Sequence, residues 1–169
     1  MNKNINNNKD TNRKTKIIRI ILIVLIAINC LTIFDFSSQN GKVSGGISKK
    51  VTITLLKAIG KESEDNAFIV EKVIRKIAHF SIYTLLGILL MCFAKTYEIP
   101  DKKRMLFCTL YVIIYASLDE FHQSFTPGRN PSVVDVFIDT LGALTGMTLI
   151  LLINKVKEKN TNIKTLSKK

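Results

Sequence analysis

Four long apolar runs divide the chain, each bounded by charged or polar residues. Residues 17–34 read IIRIILIVLIAINCLTIF, with Arg19 as the sole charge. Residues 77–94 read IAHFSIYTLLGILLMCFA, residues 105–118 MLFCTLYVIIYASL, and residues 133–153 VVDVFIDTLGALTGMTLILLI. A helix crosses a bilayer with about 20 largely apolar residues, so runs of this length restrict the chain to membrane architectures. The 105–118 run is short, and its helix is expected to continue into DEFHQ. The expected fold is all-α: an integral membrane bundle of four transmembrane helices over residues 17–153. A disordered basic tail at 1–16 and a basic tail at 154–169 flank it.

Composition supports this reading because charge and hydrophobicity are segregated. The 169 residues are 47% hydrophobic, yet the formal net charge is +12. The basic residues sit beside the apolar runs without aromatic interleaving or a nucleic-acid motif, which argues against nucleic acid as a partner. They suit anchoring to the lipid bilayer and its anionic head groups. Cys30, Cys92 and Cys108 all lie inside apolar runs without CxxC or CxxH spacing, as packing residues do. The first run is longer than a usual signal-peptide core, so it is expected to stay as an anchor.

Lys and Arg counts orient the spans. With the N-terminus cytoplasmic, inside segments carry six (residues 1–19), four (95–104) and six (154–169) of the 25 positive residues. The outer 119–132 loop carries one, and the long 35–76 loop eight. Short loops weigh most, so both termini are expected in the cytoplasm. Within the long loop, ISKKVTITLLKAIGK places Ile47, Val51, Leu55, Ala58 and Ile59 opposite Lys49, Lys50, Lys57 and Lys61. That is the pattern of a short interfacial helix.

This topology gathers the polar residues of the spans at one membrane face. The second span enters from outside at Lys76 and His79. The third leaves at Asp119, Glu120, His122 and Gln123. The fourth returns at Asp135 and Asp139, and the loop between carries Arg129 on the turn TPGRNP. Lys76, His79 and Tyr83 share a helix face that continues to Gly87; Asp119, His122 and Gln123 share another. Asp135 and Asp139 continue into Gly142 and Gly146, a GxxxG spacing that marks close helix packing. The acids should therefore face protein, because an ionisable group facing lipid costs roughly 2.5–3.5 kcal/mol at mid-bilayer. This cluster is the candidate functional site, with a purely structural ion-pair knot as the alternative.

The cluster has donors for zinc or manganese, but no HExxH pattern supports a metal; no cofactor is assigned, and a divalent metal stays the less favoured reading. Several acids beside His can support general acid–base chemistry. Ser81, Ser117 and Ser124 lack a nucleophile-elbow context.

FSSQ (Phe36 to Gln39), KIAHFSIYTLLG (Lys76 to Gly87) and DEFHQSFTPGRNPSVVDVFIDTLGALTG (Asp119 to Gly146) together resemble the VanZ-like membrane proteins, named for an accessory protein of glycopeptide-resistance clusters. The resemblance implies a bacterial membrane protein whose relatives are associated with raised teicoplanin resistance, and it assigns no catalytic residue. Two functions are expected of the cluster. One is binding of an anionic lipid, a cell-wall precursor or another envelope partner. The other is acid–base catalysis on a lipid-linked or cell-wall substrate, with Glu120→Gln as the swap to separate them. A transport path through only four spans is the least favoured.

Overall fold

The computed structural model describes residues 2–38, 54, 64–127, 129 and 131–166. Four helices run in chain order: α1 (Asn2–Ser38), α2 (Glu64–Lys95), α3 (Asp101–Gln123) and α4 (Val133–Leu166). Each contains a stretch long and apolar enough to cross a membrane. The four-span, all-helical expectation is met, and α3 does run on through Asp119–Gln123. The expected interfacial helix at 47–61 lies outside the described residues apart from Thr54.

The helices outrun the apolar runs at both ends of the chain. α1 begins at Asn2, where composition predicts a disordered tail, and α4 continues past Ile153 to Leu166. Extending an existing helix avoids the costly nucleation step, so a polar segment can continue a membrane-spanning stem.

α2 is central and contacts each of the other three helices, while α1 lies against α2 and α3. The closest pair is α2 and α4. Lys76 bonds Asp135 at one end of this pair and Lys95 bonds Asn154 at the other, each across a separation of 59 residues. An equal offset at both ends means that the two helices run parallel in fixed register. Glycine makes the approach feasible. A Cβ on Gly142 would stand 2.5 Å from the Phe80 carbonyl oxygen, and one on Gly146 would collide with the Thr84 carbonyl. A Cβ on Gly87 would collide with the Ala143 backbone. Lipid tails are as apolar as the side chains, so such close van der Waals contact, rather than hydrophobic burial, holds these helices together.

The core follows helical spacing. Tyr83, Leu86, Leu90 and Met91 on α2 meet Ala143 and Met147 on α4 and Cys108, Val112 and Ala116 on α3. α1 contributes a narrow stripe, Asn29, Ile33 and Ser37, one residue per turn. Its other face carries Ile20, Val24, Ile28 and Leu31, all exposed as lipid contact requires.

A second polar network closes the end opposite the cluster. Arg19 donates to the Thr96 hydroxyl at 3.0 Å and its carbonyl at 2.6 Å, and lies 3.9 Å from the Tyr97 ring centroid. From Arg19 to Ser37 the rise is about 27 Å at 1.5 Å per residue. That is close to the thickness of the bilayer hydrocarbon, about 30 Å. The two networks thus bracket the apolar belt.

Gly146→Val should force α2 and α4 apart and cost at least about 1–3 kcal/mol. The lipid-facing Leu149→Ala should change little. Thermal unfolding of the two variants in one detergent checks this, and equal midpoints would contradict the glycine contact.

Candidate functional site

The polar cluster forms where α1 and α3 end and α4 begins, against the middle of α2. α4 places Asp139 one turn above Gly142, so the packing that requires glycine also presses this carboxylate against α2. Asp139 is 1% exposed. Its Oδ2 stands 3.8 Å from His79 Nδ1, a charge-pairing distance too long for a hydrogen bond. α3 brings Asp119, 4% exposed, from the other side. One donor atom each from His79, Asp119 and Asp139 lie within 4.8 Å of one another. Three helices therefore converge on a single buried centre.

α1 completes the surroundings of Asp119. The Ser37 hydroxyl donates to Asp119 Oδ2 at 2.8 Å, and Gln123 Nε2 donates to the same oxygen and to Ser37 Oγ, each at 3.1 Å. Asp119 Oδ1 has no partner among the described residues, nor has Asp139 Oδ2. The Tyr83 hydroxyl, fully buried next to these groups, also has none. A buried polar atom without a partner costs about 1–3 kcal/mol, and three in one place mark a site kept open.

The remaining residues form an outer tier. Lys76 pairs with Asp135 at 2.6 Å, with both side chains substantially exposed. Such a pair contributes at most about 1 kcal/mol. Glu120 is buried and accepts the Ser132 backbone N–H at 2.7 Å, just before α4 begins. It ties the end of α3 to the start of α4, a positioning role that makes Glu120→Gln a poor discriminator between binding and catalysis. His122 turns away from the acids: its ring stacks on Phe34 at 4.2 Å, and its Nε2 lies 3.0 Å from Ser38 Oγ. Asp119, His122 and Gln123 thus all meet the end of α1, the first and last at Ser37 and His122 at Phe34 and Ser38.

Arg129 is buried on the turn before α4, and its Nη2 donates to the Phe36 carbonyl at 2.8 Å, across the end of α1. Its Nε has no hydrogen-bond partner among the described residues. Burial pulls the guanidinium below its ordinary pKa, the Arg75 charge adds to this, and Asp119 and Glu120 oppose it. Arginine stays protonated regardless. This buried cation therefore retains unused donor capacity beside the acidic centre.

Ser37 is the site residue that charge and spacing did not find. A serine at the end of an apolar helix has no distinctive pattern; its signal lay in the FSSQ segment of the family resemblance. Ser37→Ala should leave Asp119 without its shortest hydrogen bond and destabilise the protein by about 1–3 kcal/mol. Ser38→Ala, on the exposed side, should cost less than half of that. Paired unfolding midpoints in detergent decide it, and equal effects would remove Ser37 from the centre.

The family model described as VanZ/LLP1 matches residues 20–154, which spans all the helices that build this centre. No curated protein and no solved structure matches the chain. The matched segment covers well over half of the sequence and contains His79, Asp119, Arg129 and Asp139, and the chain accordingly belongs to the VanZ/LLP1 family.

Proposed function

We propose that the protein is a bacterial cell-membrane protein with both termini in the cytoplasm. On this reading its polar centre opens at the outer leaflet and binds the head group of a cell-envelope ligand, a lipid-linked cell-wall precursor. The observation that carries this reading is the set of unmet groups in one place. Asp119 Oδ1 and Asp139 Oδ2 lack donors, and Arg129 Nε lacks an acceptor, among the described residues. A precursor head group presents both kinds of partner: hydroxyls and amides for the acids, and phosphates or carboxylates for the guanidinium. A simple anionic lipid would answer Arg129 alone. Holding such a precursor at the outer face would alter what the surface presents to glycopeptides, which links the site to teicoplanin susceptibility.

A second reading, acid–base catalysis on the same head group, is favoured by the His79–Asp139 pair beside a second carboxylate. Asp139→Asn separates the two readings. A binder returns the precursor unchanged with either residue, whereas an enzyme converts it and loses that turnover in the variant.

Binding is measured on the intact protein in nanodiscs with a purified lipid-linked cell-wall precursor, by native mass spectrometry. Arg129→Gln should weaken binding roughly tenfold or more, the loss expected for a charge-assisted contact. The same variant, at matched membrane level in a sensitive Gram-positive host, should lose any teicoplanin tolerance that the intact protein confers. Equal binding and equal tolerance would reject the reading.

A further inference from the structure

We propose that His79, Asp119 and Asp139 form a seat for one divalent cation of the zinc or manganese type. The seat deepens the ligand-binding reading: with the ion bound, the two acids reach the head group through it rather than by direct hydrogen bonds.

Geometry is the first support. Metal–ligand bonds of about 2.1 Å put two donors about 3.4 Å apart at the tetrahedral angle. His79 Nδ1 and Asp139 Oδ2 stand 3.8 Å apart, and the third donor, from Asp119, lies within 4.8 Å of both. Small side-chain rotations close the set around an ion. One imidazole nitrogen and two carboxylate oxygens, drawn from three helices, suit zinc or manganese rather than a soft thiolate-seeking metal. Three protein ligands also leave a position for water or a ligand oxygen.

The unpartnered atoms are the second, independent support. Tyr83 does not belong to the ligand triad, yet it is fully buried and its ring stacks on His79. Its hydroxyl has no hydrogen-bond partner among the described residues. A water on the ion would provide one. Asp119 is arranged as a ligating carboxylate usually is: Ser37 and Gln123 hold one oxygen and orient the other, which stays free.

Charge is the third. Two ionised carboxylates held within reach of one another inside a low-dielectric bundle would repel; His79 stands too far to hydrogen-bond Asp139, and Arg129 donates to the Phe36 carbonyl. Lys76 is engaged with Asp135 further out. A divalent cation cancels both carboxylate charges at once and lowers the cost of keeping them in the membrane. It also sets a second positive charge beside Arg129, which matches the phosphate of the proposed head group.

The test uses the metals alone, so its failure is distinct from a failure of precursor binding. The full-length protein in detergent is stripped with chelator, dialysed against Zn²⁺, Mn²⁺ or Co²⁺, and assayed for bound metal and for Co²⁺ ligand-field absorption. The intact protein and Glu98→Gln, at the opposite membrane face, should each hold about one ion per chain. Asp119→Asn, Asp139→Asn and His79→Gln should each lower affinity by at least roughly tenfold and change the Co²⁺ spectrum. Three variants, two of them isosteric, guard against one failing to fold, with monodispersity by size exclusion as the criterion. The proposal is overturned if the stripped intact protein takes up none of the three metals, or if the folded variants bind them as well as it does.

Discussion

The contact between α2 and α4 governs the rest of this bundle. Gly142 and Gly146 let the α4 backbone approach the Phe80 and Thr84 carbonyls, and Gly87 gives the reciprocal space for Ala143. In lipid no hydrophobic gain rewards a looser fit, so the pair holds only if backbones come close. The parallel register that results, 59 residues apart at both ends, brings Lys76 to Asp135. It also brings His79 to Asp139. The same few small residues thus decide both the stability of the bundle and the geometry of its polar centre.

Around that pair, polar groups do two kinds of work. At one end Arg19 secures α1 to the Thr96–Tyr97 turn. At the other, Glu120 fixes the start of α4, Ser37 and Gln123 fix Asp119, and Arg129 reaches the end of α1. The inner centre differs. Its acceptors are buried, close together and only partly used, an arrangement that costs stability unless something else occupies it. A structural ion-pair knot would pair cations directly with these acids; here Lys76 is engaged with Asp135, and Arg129 donates to the Phe36 carbonyl.

Much of this was legible in the residue order. Apolar runs separated by basic clusters allow only membrane-spanning helices, and alternating topology puts the charged ends of α2, α3 and α4 at one face. Spacing along single helices then identifies Lys76, His79, Tyr83 and Gly87 as one face. It does the same for Asp135, Asp139, Gly142 and Gly146. Both sets do meet in the structure, because a helix repeats at a fixed angle whatever it packs against. His122 meets α1 beside Asp119 and Gln123, one residue further along, at Ser38 where those two meet Ser37. A face spanning i, i+3 and i+4 is broad, and α1 takes one edge of it through Phe34 and Ser38.

The sequence by itself determined the number of spans, the face on which the ionisable residues gather, and the glycines that permit close packing, since all three follow from local periodicity and hydropathy. Only the tertiary structure decided the division of labour within the cluster. Glu120 and Asp119 are adjacent carboxylates that composition cannot tell apart, yet one caps a helix and the other faces the centre. Ser37 joins that centre across 82 residues of chain. Such assignments depend on how far each helix is rotated against its neighbours, which is settled by packing between segments distant in sequence.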